Sequence, residues 1–162
     1  EVAFDGQYFS KMNDHALTRL RRERMGIIFQ SFALLPTYSA FENVEFVLRL
    51  AGKSIQTSRE RAMYCLKVVG LSNRMYNRPD ELSGGQQQRL AVARAIANRP
   101  DMILADEPTG ELDTKTTHQI FRLFRLLIDR EGMTFMVTSH DPLIDEYADM
   151  VYSIQDGKIL TN

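Results

Sequence analysis

Four places along the 162-residue chain carry side chains that could act together on a charged substrate. Two adjacent acids, Asp106 and Glu107, follow the apolar run Met102-Ile103-Leu104-Ala105 and precede Pro108. Such a run reads as a short core strand, and successive strand side chains point to opposite faces, so the two carboxylates can do different work. One can hold Mg²⁺, usually through water, while the other takes a proton from an attacking water. His140 closes a second core segment, Met133 to Ser139, and Asp141-Pro142 stops it there. A neutral imidazole held at a strand end can donate to a terminal phosphate or orient a water. Gln30 ends a third segment, Met25-Gly26-Ile27-Ile28-Phe29, which reads as a buried-type strand. An amide there can reach a metal or water in the crevice where α/β sheets bind ligands. The fourth place is Leu82-Ser83-Gly84-Gly85-Gln86, which opens a helix expected to run to about Asn98, before Arg99-Pro100. Ser83 is a good N-cap, and Gln86, three residues on, completes a capping box. The glycines remove side chains where another surface must approach, and the helix N-terminus offers free N–H groups and a positive dipole end to a phosphate.

The elements that position these residues can be read from the pattern. Val2 and Phe4 alternate with polar neighbours and Asp5-Gly6 signals a turn, so Glu1–Phe9 is a strand and hairpin piece. His15 to Arg24 is polar and basic. Glu23 interrupts Arg19, Arg21, Arg22 and Arg24, and no aromatic is interleaved, so a solvated helix face is favoured over phosphate binding. Ser31 to Pro36 is apolar for a loop, which suits either a partner surface or local core. Phe41–Leu50 and Thr57–Val69 are helices. Thr57-x-x-Glu60 is a capping box for the second, Ala62, Leu66 and Val69 share one face, and Gly70 ends it. Asn73–Leu82 is a polar loop. Asp113 can cap a helix from Thr114 to Glu131 that buries Ile120, Phe121, Phe124, Leu127 and Ile128 and stops before Gly132. His15 and His118 are expected at the surface. Val151–Ile159 is a hairpin turning at Asp156-Gly157.

Composition bounds the reading further. The length is one domain's worth, and 44% hydrophobic with 25% charged residues fits a globular protein with a real core. Lys plus Arg number 20 against 21 Asp plus Glu, a net charge of −1, which gives no overall attraction to nucleic acid or anionic lipid. Nucleic acid is therefore not an expected partner. The longest apolar run, Ala62–Leu66, is far too short to span a membrane. The single Cys65 cannot form an internal disulfide, and it lies in an apolar helical pattern that suits packing.

Taken one at a time, each motif has an ordinary structural explanation: a solvated turn for Asp106-Glu107, a strand-end cap for His140 or Gln30, a helix start for Ser83-Gly84-Gly85. Their order is more specific. LSGGQQQR, followed by a strand ending in two acids, resembles the signature of the ATP-binding subunit of ABC transporters. The rest then resembles that family in sequence order: Gln30 the Q-loop glutamine, Asp106 and Glu107 Walker B, Gly110-Glu111-Leu112-Asp113 the D-loop, and His140 the H-loop histidine. The wording IFQSFALLP, ADEPTGELDTKT and VTSHD is similar to the branch serving lipoprotein-releasing, macrolide- or peptide-exporting and cell-division permeases. The D-loop departs from the family's commonest S-A-L-D at Gly110 and Glu111.

The resemblance implies an α/β fold: a P-loop NTPase-like parallel core sheet flanked by helices, with an inserted helical subdomain carrying the signature. Residues 1–30 would be the remaining N-terminal core with the Q-loop strand, 31–99 the helical subdomain, and 100–162 the Walker B, D-loop and H-loop core. It implies ATP and Mg²⁺ as ligands, with Asp106 and Gln30 serving the metal, Glu107 as general base and His140 on the γ-phosphate. It implies a head-to-tail dimer with a second ATP-binding subunit, in which Ser83, Gly84, Gly85 and Gln86 close over nucleotide in trans, and Asp113 lies in the D-loop. It implies a membrane permease partner, reached near the 31–36 loop, and a peripheral place on the cytoplasmic face. No GxxxxGK[ST] occurs among the nine glycines. The expectation is therefore a partial ATPase domain lacking Walker A and its strand. Such a chain would bind ATP poorly alone, have an unpaired gap beside the His140 strand, and supply a signature to only one site of a pair. The alternative is a non-catalytic module that docks on a permease or on an intact ATPase.

Overall fold

The computed structural model describes residues 1–160, and it opens with a hairpin of β1 (Ala3–Phe4) and β2 (Gln7–Tyr8). Asp5 and Gly6 between them are both left-handed, φ 50° and 73°, as a two-residue hairpin turn requires. Helix α1 (Asp14–Arg24) is capped by the Asn13 side chain and buries only Leu20, so Arg19, Arg21 and Arg22 are solvated as expected, whereas the half-buried Arg24 pairs with Asp5 and Asp101. It runs directly into β3 (Met25–Ile28).

Three helices follow before the next strand of the sheet. Helix α2 (Ala40–Leu50) begins at a Ser39/Glu42 capping box that the sequence reading did not identify. Its buried Asn43 holds the preceding loop: Oδ1 accepts from the Leu35 N–H at 2.9 Å, and Nδ2 lies 3.0–3.1 Å from the carbonyls of Leu35, Tyr38 and Ser39. Helix α3 (Ile55–Val68) starts earlier than expected, because Ser54 and not Thr57 is its cap. Ser54 Oγ accepts from the Thr57 N–H at 3.1 Å and donates to Thr57 Oγ1 at 2.9 Å, so Thr57 is inside the first turn. Ala62, Leu66 and Val69 are fully buried, as is Cys65, whose thiol burial pushes up to about 11. Helix α4 (Gly84–Ala95) ends about one turn short of the expected Asn98. Its last carbonyls are taken by a neighbour: Arg61 donates to Ile96 O at 2.9 Å and Ala97 O at 3.0 Å.

The sheet is completed by β4 (Met102–Asp106) and β5 (Thr134–Thr138), joined by α5 (Thr114–Glu131), which stops at left-handed Gly132. The order is β3-β4-β5, all parallel, with Met25 opposite Met102 and Met102 opposite Thr134. One face packs on α4 and α5: Gly26, Ile28, Ile103 and Ala105 point inward, and Phe135 stacks on Phe124 with centroids 4.7 Å apart. The buried side of α5 is Thr117, Ile120, Phe121, Leu123, Phe124 and Leu127; Leu123 is deeper than expected, and Ile128 is only half-buried. His118, expected free at the surface, is half-buried, and its Nδ1 lies 2.7 Å from Tyr147 Oη.

The other face of the sheet is open. Ile27, Phe29 and Met136 are all at least 40% exposed, so β3 is buried on one side only and not on both as its run suggested. Among the described residues no strand pairs with the outer edge of β5. The hairpin β6 (Ser153–Gln155) and β7 (Lys158–Leu160) stands as a separate two-stranded sheet.

Candidate functional site

Parallel pairing brings the C-terminal ends of β4 and β5 side by side, with Asp106 opposite Thr138. Thr138 Oγ1 donates to Asp106 Oδ1 at 2.7 Å, and the Glu107 N–H donates to Thr138 O at 3.0 Å. The chain then turns sharply: Glu107 has φ 44°, a conformation L residues avoid, and the Gly110 N–H closes the turn on Glu107 O at 3.1 Å. As a result the exposed Asp106 carboxylate and the half-buried Glu107 carboxylate are separately placed, and Glu107 Oε2 lies 2.9 Å from His140 Nδ1. A small cleft of about 280 Å³ opens here, bounded by Glu107, Gly110, Leu112 and His140.

The hydrogen bond to Glu107, and then its charge, raise the His140 pKa above the ordinary imidazole value; Asp141 adds to the effect. The sign follows from linkage. The pair contributes to stability fully below the unfolded value of about 6.5, and the contribution is lost as pH rises through the elevated folded value. Replacing Glu107 with Gln should bring the His140 NMR titration midpoint back toward about 6.5. An unchanged midpoint would show that the carboxylate does not set it.

Gln30 lies just beyond β3, and its amide reaches the turn that follows Glu107. A Cβ built on Gly110 would sit 3.2 Å from Gln30 Nε2 and 3.6 Å from Glu107 O. A side chain at position 110 would press on the end of the exposed Gln30 amide, which can give by the few tenths of an ångström needed, so the contact does not by itself demand glycine. Nothing in the structure explains Glu111.

The Ser83–Gln86 string forms a second cluster. Ser83 is the N-cap, with Gln86 Oε1 accepting from the Ser83 N–H at 3.0 Å and the Gln86 N–H donating to Ser83 Oγ at 3.4 Å. A Cβ on Gly84 would touch Leu112, and one on Gly85 would lie 2.6 Å from Thr116 Cγ2, so the surface that approaches these glycines within the chain is the start of α5. Asp113 caps that helix, accepting from the Thr116 N–H at 3.0 Å and the Thr116 hydroxyl at 2.7 Å, which together hold its carboxyl below the usual range. Leu112 therefore stands between the two clusters, touching Gly84 on one side and the cleft at His140 on the other.

The donor set can be tested against Mg²⁺. Among the described residues no three His, Cys, Asp or Glu side chains gather into a metal cage. Mg²⁺ bound with nucleotide needs only one or two carboxylates, completed by water and phosphate oxygens. An exposed Asp106 with only one carboxylate oxygen engaged by Thr138 fits that case. Sequence reasoning missed Thr138 itself; its hydroxyl two residues before His140 was the available signal.

The family model described as "ABC transporter" matches residues 1–110. The chain belongs to the ABC transporter family. An uncharacterized ABC transporter ATP-binding protein of Thermotoga maritima is 45% identical over 159 residues, covering 98% of this chain and 68% of that one. The lipoprotein-releasing system ATP-binding protein LolD of Hyphomonas neptunium is 38% identical, covering 98% and 70%. The dimeric, post-hydrolysis structure of the ATP-binding cassette MJ0796, bound to ADP and Pi, superposes with a TM-score of 0.84 at 39% identity, covering 96% of this ABC chain and 69% of that cassette. The fold expected from the resemblance, an ABC-type α/β core with a parallel sheet, is thus the fold found, and the chain is an ABC ATP-binding protein, the kind of subunit that serves membrane transport.

Proposed function

We propose that this ABC chain belongs to the ATP-hydrolysing machinery that drives a membrane permease. The observation that carries the reading is the Glu107–His140 contact of 2.9 Å beside an exposed Asp106, on adjacent parallel strand ends. Glu107 would accept the proton of the attacking water, and His140 would contact the terminal phosphate. Asp106 and the Gln30 amide would hold Mg²⁺, which supplies charge neutralisation to the phosphates when bound. Ser83 to Gln86 would close over nucleotide held by a second subunit, and Asp113 would face that subunit from the D-loop; the dimeric MJ0796 cassette supports this arrangement. Residues 31–99 would be the helical unit, between core pieces 1–30 and 100–162. No helix among the described residues is long and apolar enough to cross a membrane, and the reading gives the crossing to the permease, with this chain on its cytoplasmic face.

These 162 residues contain no GxxxxGK[ST], and a P-loop backbone and lysine normally make most phosphate contacts. The chain alone is therefore expected to turn over Mg-ATP no faster than its Glu107→Gln variant. Mixed with an intact ABC cassette whose own signature has been inactivated, it should raise turnover by roughly tenfold or more, because loss of one transition-state donor site typically costs on the order of 10²-fold. No rise above the inactivated cassette would overturn the reading and favour a docking module.

A further inference from the structure

Gln30 is followed by a costly piece of backbone. Phe32 and Ala33 have φ of 58° and 48°, the left-handed region that residues other than glycine avoid, and two such residues in succession are rarer still. The turn is tight: the Phe32 N–H donates to Phe29 O at 3.2 Å and the Ala33 N–H to Ser31 O at 2.6 Å. What opposes the strain comes from α4. Arg94, one residue before that helix ends, donates from Nη2 to Phe32 O at 2.9 Å and from Nη1 to Ala33 O. Among the described residues no other donor reaches either carbonyl. The guanidinium is half-buried, and burial lowers its pKa without approaching neutrality at physiological pH. One planar fork thus grips both strained peptides, with a geometry that a lysine ammonium does not reproduce.

We propose that Arg94 is a positioning residue for Gln30: it pins the left-handed turn after β3 and so fixes the direction in which Gln30 points at Gly110 and Glu107. The role assigned to Gln30 at Mg²⁺ rests on the function proposed above; the clamp does not. Because Arg94 and the Ser83 cap sit at opposite ends of one helix, the Gln30 turn and the signature are also held to the same rigid body.

The test uses the whole chain without nucleotide, so it is independent of whether the chain hydrolyses ATP. In Arg94→Gln, amide exchange at Phe32 and Ala33 should rise at least tenfold over wild type, with α3 and α5 unchanged. The Gln30 side-chain NH₂ signal should shift as the amide leaves its place beside Gly110. Arg94→Lys should fall between the two. Adding Ala33→Gly to Arg94→Gln should recover much of the protection at Phe32, since glycine takes the left-handed conformation freely. Unchanged exchange at the turn, an unmoved Gln30 signal, or a uniform rise across the helices would each overturn the proposal. If Arg94→Gln does not fold, Ala33→Gly in the wild-type chain decides. Relief of strain predicts a melting temperature raised by roughly 1–4 °C, and a lowered one overturns the clamp.

Discussion

Alanine in place of Gly26 is expected to lower the melting temperature of this chain by roughly 2–12 °C. Away from any contact, the same change in a strand would gain about 0.5–1 kcal/mol, because glycine loses more freedom on folding. Position 26 reverses the sign. A Cβ there would stand 2.5 Å from both Ala95 O and Ile103 Cδ1. The Ile103 methyl belongs to a fully buried side chain with little room to turn, and the Ala95 carbonyl belongs to the fixed last turn of α4. Strand and helix must separate, an overpacking cost of about 1–3 kcal/mol. At this size each kcal/mol moves the midpoint by about 2–4 °C. Calorimetry on Gly26→Ala checks it; an unchanged or higher midpoint would mean that β3 and α4 are not in close register.

Gly85→Ala is the second change expected to have a large effect, and it comes with its own rescue. The new methyl would meet Thr116 Cγ2 at 2.6 Å. A threonine methyl can usually rotate aside, but the Thr116 hydroxyl is bonded to the Asp113 carboxylate, which fixes its rotamer. The start of α5 must therefore move away from the signature helix, and we expect a drop of roughly 3–8 °C. Thr116→Ser removes only the offending methyl and keeps the hydroxyl for Asp113. In the double variant at least half of the loss should return. Failure of serine to rescue would place the strain elsewhere than in this contact.

These two glycines show where the sequence was legible and where it was not. Ser83-Gly84-Gly85-Gln86 predicted a capped helix start and a close approach, and both are present. The string could not say that the approaching group within this chain is Thr116, thirty-one positions later. Local patterns fared well when both partners were near in sequence: the hairpin at Asp5-Gly6, the solvated Arg19, Arg21 and Arg22 of α1, the stop at Gly132. They failed where two similar signals competed within a few residues. Ser54 and Thr57 are both good caps, and the hydroxyl pair between them settles the matter in favour of Ser54. That the core strands run parallel was legible only through the family resemblance, and their order β3-β4-β5 was not read at all, because apolar runs give a strand but not its neighbours. Long-range polar contacts were the least legible, since a polar side chain does not announce a partner distant in sequence. Thr138 on Asp106, Arg61 on the end of α4 and Arg94 on the Gln30 turn each join residues more than thirty positions apart.

The exposed face of the sheet could not be read from composition either, since Ile27, Phe29 and Met136 look like ordinary core residues in their strands. With that face uncovered and the β5 edge unpaired among the described residues, apolar surface lies beside free backbone groups, a combination that promotes association.

Asn43 has a consequence of a different kind. One amide that belongs to α2 gathers the backbone of Leu35, Tyr38 and Ser39, beside the cap that Ser39 makes for itself. Form and chemical identity are thereby separated in this segment. The exposed Thr37 side chain can be exchanged while the main chain keeps its course. A lineage holding Asn43 constant can vary the surface the loop presents without having to reinvent how the loop is built.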